Sequence, residues 1–279
     1  MTAEPAIRRE RSGDDAIPTV DILGIQVSCG SLESTAERIA QWARGLQPER
    51  AHYACATSVH GVVTASRDPA FARILNQADV IAPDGMPLVW VGRIMGRRTM
   101  ERMYGPRFML RICDRCAPGT RHFFYGGEPG VADDLAKRLS ARFAGVEVAG
   151  TYCPPFREIS VAELDDIADL INRSGADVVW VGLSTPKQER WIDAIRDRLR
   201  VKVLVSVGAA FDYHTERLRS APPLVQKAGL EWAYRLLQEP LRLWRRYAYN
   251  NPVFVGLVLK RLLGPRRGSD KAPGSSVAR

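Results

Sequence analysis

Short apolar runs alternate with segments of helical period over most of this chain. The opening "VDILGIQVSCG" (20–30) alternates apolar and polar positions and predicts a strand or hairpin. "SLESTAERIAQWARGL" (31–46) has helical spacing, with Ser31 or Ser34 as its cap. "HYACATS" (52–58) and "DVIAPDG" (79–85) read as short strands. Between them "VHGVVTASRDPAFARILNQA" (59–78) is helical but breaks at Asp68-Pro69, since a residue before proline is pushed out of helical space. "MPLVWVGRIMG" (86–96) and "GPRFMLRICDRCA" (105–117) continue as helices.

The second half is more regular. The strands "RHFFYGG" (121–127), "VEVAGTY" (146–152), "ADVVWVGL" (176–183) and "VKVLVSVG" (201–208) alternate with helices at 128–143, 160–175 and 185–200. The 160–175 helix carries a Ser160–Glu163 capping box and a Gly175 stop. Continuous apolar strands separated by helices predict an α/β fold: a Rossmann-like, mostly parallel sheet covered on both faces. Right-handed crossovers then place every strand-to-helix turn on one edge, where such sheets bind ligands. After Gly208 the rhythm changes. Residues 230–264 are helical, aromatic and arginine-rich, and "PRRGSDKAPGSSVAR" beyond them has no core residues. The predicted organisation is a tail (1–18), a Rossmann-like domain (19–225), a basic aromatic helical appendage (226–264) and a second tail (265–279).

Charge sharpens this division. Of the net +9, residues 227–279 hold +8, from eleven Lys and Arg against Glu231, Glu239 and Asp270. A nearly neutral body with a basic end predicts an anionic partner: phospholipid, nucleic acid or a polyphosphate ligand. Nucleic acid is disfavoured, because no organised reading surface is evident. The first residues lack the apolar core of a signal peptide and no run spans a bilayer, so the chain is expected in the cytoplasm. Five cysteines, an odd count in apolar settings, predict reduced thiols. "CDRC" (113–116) lacks a second ligand pair for zinc and reads as thiols packed along a helix.

Four turns fall on the predicted ligand edge: "ATSVH" (56–60), "PDG" (83–85), "YGGEPG" (125–130) and "GLSTPKQE" (182–189), with "VGAAFD" (207–212) as a fifth. Gly126 and Gly127 offer free N–H groups at an expected helix start, a setting that favours phosphate. Thr185, Pro186 and Gln188 read as a cap, a first-turn proline and a capping box. Lys187 then sits as a cation against the helix dipole, which suits a bound anion. His60 opens a helix after a strand, where surface or capping roles are the commoner ones. Asp84 is either the N-cap of the following helix or a carboxylate placed for chemistry. No DxD pair and no metal-ligand spacing is present, so no metal and no cofactor is expected.

The runs "ADVIAPDGMPLVW", "ERMYGPRFM", "FFYGGEPGVADDLAKRL", "VVWVGLSTPKQERWI" and "GLEWAYRLLQEPLRLWRRY" occur in the order found in the WecG/TagA/CpsF glycosyltransferases, glycosyltransferase family 26, and the chain resembles that family over about 20–263. The resemblance implies inverting, metal-independent transfer of a sugar from a UDP-sugar to a polyprenyl-diphosphate-linked saccharide, at the inner face of the cell membrane. It implies Asp84 as general base, with Gly85 beside it. Arg102 and Gln188 match further family positions of the active site. Where the family has Thr and Asn after an early strand this chain has Ala56 and Ser58, and Ser58 keeps a hydroxyl for the sugar. Ser58, His60, Gly85, Arg102, Gly126, Gly127, Gly182, Lys187 and Gln188 are the expected substrate contacts. Arg235, Arg242, Arg245 and Arg246, interleaved with aromatics, are expected to face membrane or diphosphate. Homo-oligomerisation is left open. Two rival readings are a nucleotide-dependent oxidoreductase and a non-catalytic adaptor acting through the basic end.

Overall fold

A computed structural model describes residues 17–263. The predicted tails, 1–18 and 265–279, lie outside the described residues except for Ile17 and Pro18. Among the described residues the chain opens with a hairpin, β1 (Thr19–Ile22) and β2 (Ile25–Ser28), then α1 (Leu32–Arg44). Next come β3 (His52–Thr57), α2 (Val59–Ala65), α3 (Pro69–Asn76), β4 (Val80–Pro83), α4 (Met86–Ile94) and α5 (Gly105–Arg115). The second half runs β5 (Arg121–Gly126), α6 (Val131–Arg142), β6 (Glu147–Tyr152), α7 (Val161–Ser174), β7 (Val178–Gly182), α8 (Lys187–Ile195), β8 (Val203–Ser206) and α9 (Ala210–His214). Three helices end the described residues: α10 (Pro223–Lys227), α11 (Glu231–Gln238) and α12 (Pro240–Leu263).

Strands β3 to β8 form one parallel sheet in the order β4-β3-β8-β7-β5-β6, and the hairpin stays separate. Successive side chains of a strand point to opposite faces, and the core divides accordingly. Tyr53, Cys55, Val179, Val181 and Leu204 pack on one side, with the hairpin, α2, α3 and α8. Ala54, Val178, Trp180, Val203 and Val205 pack on the other, with α1, α5 and α6. This is why the central strands read as unbroken apolar runs: neither face sees water. Full burial of each large side chain there stabilises by about 1.5–3 kcal/mol.

Local signals act as expected at several helix ends. Ser31 accepts from the Ser34 N–H at 3.0 Å. The break expected at Asp68-Pro69 is present, and Asp68, a cap the sequence reading does not include, also accepts from the Phe71 N–H at 3.0 Å. The Ser160–Glu163 capping box forms, and Gly175 ends α7 with φ 65°. Cys113 and Cys116 are buried thiols on and just after α5.

Two expected helix starts are corrected. The Gly126–Gly127 pair does not open α6. Both glycines have positive φ, 126° and 75°, and lead into a turn, so the helix starts four residues later behind Gly130. Thr185 and Gln188 do not form a capping box. Pro186 is the N-cap of α8 and no side chain caps it. The Thr185 hydroxyl instead donates to buried Glu189 at 2.8 Å, and the Gln188 amide turns inward to the same carboxyl at 3.0 Å. A buried carboxyl must be hydrogen-bonded, and that demand outweighs the cap.

The C-terminal helical stretch breaks at Glu239, before Pro240. Helix α12 lies on α2 and buries Leu243, Asn250, Phe254 and Val258, one stripe at helical period. Among the described residues no helix is long and apolar enough to cross a membrane.

Candidate active site

The strand ends of β3, β4 and β8 are neighbours in the sheet, and a cavity of about 140 Å³ opens above them. Ser58, His60, Asp84, Gly85 and Arg102 contribute to its wall from the body. Helices α11 and α12 close it from above with Glu231, Trp232, Arg235, Arg246, Tyr247 and Asn250.

Of the two roles open to Asp84, the cap of its own helix is removed. It does not cap α4; Gly85 is the N-cap there, without a side-chain bond. Its N–H donates to the Thr57 carbonyl at 2.9 Å, which fixes the backbone to the end of β3. Its carboxylate Oδ1 accepts from the Gly105 N–H, the first of α5, at 2.8 Å. One oxygen therefore serves another helix's N-terminus, and Oδ2 takes no hydrogen bond from any described residue. Glycine is required at 105 for this approach, because a Cβ there would meet the Val207 carbonyl oxygen at 2.9 Å.

Arg102 ties the site together. Its Nε donates to the Asp84 carbonyl at 2.6 Å, and its Nη1 forms an ion pair with Glu231 Oε2. The guanidinium stacks 4.4 Å above the Tyr104 ring. Burial pushes the Glu231 carboxyl up from its ordinary range, against the pull of Arg102. Burial also pushes up the Tyr104, Tyr213 and Tyr247 phenols in the same wall.

The four appendage arginines separate into two pairs. Arg235 and Arg246 line the cavity. Arg242 and Arg245 are exposed, the first paired with Glu239 at 2.9 Å and the second stacked 5.4 Å from Trp244. Arg246 is the notable one: its guanidinium has no hydrogen bond or ion pair to any described residue, and its Nε is fully buried. Burial lowers its affinity for a proton below that of an ordinary guanidinium. A half-buried cation that acts on Asp84 only across the cavity, and meets no acid directly, is a place where a ligand's anion lowers the cost.

His60 is half-buried, near enough to the Thr185 carbonyl for that dipole to favour its charged form. Nδ1 lies 3.2 Å from Asn250 Nδ2, an amide donor on α12, so Nδ1 is the acceptor and the proton sits on Nε2. Burial, helped by the Arg246 charge, pushes the imidazole down to about 4. Ser58 precedes α2 as its N-cap but makes no capping bond, so its hydroxyl is left to the cavity.

The remaining expected contacts lie at the strand ends of the other half of the sheet and do not line this cavity. Gly126 and Gly182 meet backbone to backbone, where a Cβ on Gly126 would sit 2.6 Å from the Gly182 carbonyl oxygen. The Gly127 N–H donates to that same carbonyl at 3.1 Å. Lys187 is exposed at the start of α8. Gln188 is buried and accepts from the Gly208 N–H at 3.1 Å, which links α8 to the turn after β8.

Sequence reasoning missed Tyr104, Tyr213, Glu231, Trp232, Tyr247 and Asn250 as wall residues. Tyr104 and Glu231 stand inside the quoted runs "ERMYG" and "GLEWAYRLL", so proximity to known motif residues was the available signal. Asn250 carried none. Among the described residues no three His, Cys, Asp or Glu side chains gather as a metal-ligand group.

A parallel sheet whose C-terminal edge holds an open carboxylate in one cavity with an arginine that no acid meets directly defines a Rossmann-like α/β protein with a ligand cleft. The chain belongs to the glycosyl transferase WecG/TagA/CpsF family, whose model matches residues 20–268. It is 33% identical over 197 residues, 70% of this chain and 74% of the relative, to an N-acetylglucosaminyldiphosphoundecaprenol N-acetyl-beta-D-mannosaminyltransferase of Bacillus spizizenii W23. A protein of the same name from Bacillus subtilis 168 is 27% identical over 199 residues, 70% of this chain and 74% of that one.

Proposed function

We propose that this glycosyltransferase moves a sugar, with inversion, from a UDP-sugar to a polyprenyl-diphosphate-linked saccharide at the inner face of the cell membrane. The names of the two relatives point to an N-acetylmannosaminyl group as the transferred sugar and to N-acetylglucosaminyl-diphosphate lipid as the acceptor. The observation that carries the reading is the open Oδ2 of Asp84 in one cavity with the unpaired guanidinium of Arg246.

Inverting transfer needs a base, an in-line attack and a stabilised leaving group. The acceptor hydroxyl gives its proton to Asp84 Oδ2 while its oxygen bonds to the anomeric carbon. The bond from that carbon to the UDP oxygen breaks, and its electron pair leaves with the diphosphate. Arg246, with Arg235 beside it, meets the charge that develops there. Asp84 is held from both ends, by the Gly105 N–H and through its carbonyl by Arg102, so its free oxygen need not reorganise. Ser58 and the aromatic wall remain for the sugars. The exposed Arg242, Arg245 and Trp244 suit a headgroup layer, which would bring the cavity to its lipid-borne acceptor.

The test is a screen of UDP-sugars, UDP-N-acetylmannosamine included, with a short-chain polyprenyl-diphosphate N-acetylglucosamine. Turnover is expected for one donor. Asp84→Asn is expected to lower it by about a hundredfold or more while UDP still binds, in keeping with loss of a general base. Undiminished turnover in that variant refutes the base role.

A further inference from the structure

Glu231 uses only half of its carboxylate. Oε2 forms the ion pair with Arg102, while Oε1 is buried and has no hydrogen-bond partner among the described residues. The residue lines the cavity and is near enough to Asp84 to feel its charge. A tie between appendage and body explains Oε2 alone. Leaving a buried acceptor unmatched costs about 1–3 kcal/mol, so a rotation of this carboxylate that carries Oε1 to a donor in the cavity is favourable.

Charge sorts which part of a ligand that is. A carboxylate oxygen repels a phosphate, so the diphosphate belongs on the side of Arg246. The wall formed by Asp84 and Glu231 takes groups that donate: hydroxyls and amide N–H. We propose that Glu231 is a specificity-determining residue whose Oε1 accepts a hydrogen bond from a hydroxyl or acetamido N–H of the sugar bound beside Asp84. This rests on the transferase reading above. Asp84 takes the reacting hydroxyl, and Glu231 reads a second donor of the bound sugars. An unmatched buried acceptor also rejects: a sugar lacking that donor leaves Oε1 desolvated and unpaired.

The experiment uses the full chain with UDP-N-acetylmannosamine and the short-chain polyprenyl-diphosphate N-acetylglucosamine. Each hydroxyl of either sugar is replaced in turn by hydrogen, and each acetamido group by acetoxy. Wild type should lose about tenfold or more in kcat/KM for one analogue besides that lacking the attacking hydroxyl. Glu231→Ala should lose a similar factor on the parent pair and then treat parent and analogue alike within about threefold. Glu231→Gln keeps the size and an oxygen for Arg102, so it answers whether Ala merely loosens the fold. It should show the same indifference or prefer the analogue. If both variants penalise the analogue as wild type does, or if wild type penalises none, the assignment is overturned. Absence of wild-type turnover with every UDP-sugar would instead sink the transferase reading itself.

Discussion

His60 offers a quantitative check on how α12 is held. Its ring is neutral, with Nδ1 accepting from Asn250 on α12. Burial disfavours the charged imidazole and the Arg246 charge adds to this, against the pull of the Thr185 carbonyl and of Asn250. The imidazole is pushed from 6.5 to about 4 in the folded protein. The unfolded chain thus binds the proton more readily. The contribution to stability is full above pH 6.5 and is lost as pH falls through about 4. At about 1.4 kcal/mol per pH unit the gap amounts to about 3 kcal/mol. Part of the ring is reachable by solvent, so roughly 2 kcal/mol is the expected share. Urea unfolding followed by tryptophan fluorescence, at steps between pH 7.5 and 4.5, measures it. His122 and His214 are also pushed down by burial, so the wild-type slope alone is not diagnostic. The difference between wild type and His60→Gln is. The variant should lose roughly 2 kcal/mol less stability than wild type across that range. Parallel curves would refute the burial of a neutral His60 imidazole beside Arg246 on α12.

Two further outcomes follow from the same geometry. Gly105→Ala forces a Cβ against the Val207 carbonyl, so it should destabilise by about 1–3 kcal/mol, read by urea midpoint. It should also shift the N–H that holds Asp84 and lower kcat by about tenfold with UDP affinity kept; a loss of UDP affinity with kcat intact would contradict that role. At the membrane, the full chain should sediment with anionic vesicles in a salt-sensitive manner, and truncation after Leu224 should abolish this. Replacing the exposed Arg242 and Arg245 with Ala should weaken binding by about 2 kcal/mol, roughly thirtyfold, whereas unchanged sedimentation would reject their contact with lipid.

The chain's linear pattern was enough for the sheet, the helices around it and the turn that carries Asp84. Apolar runs report burial on both faces, and caps such as the Ser160–Glu163 box act within one turn, so both are local. Motif order was likewise enough for the family. Three things were decided only in space. Whether Asp84 caps its own helix depended on where α5 arrives, because the Gly105 N–H that takes Oδ1 is 21 residues away. Whether Thr185 and Gln188 cap α8 depended on Glu189 being buried, which local spacing does not reveal. Which appendage arginines face the cavity depended on the turn at Glu239 and the seat of α12 on α2, which send Arg235 and Arg246 inward and leave Arg242 and Arg245 outside. The physical reason is common to all three. A polar side chain goes to the partner that best offsets its desolvation, and at this site those partners come from distant parts of the chain.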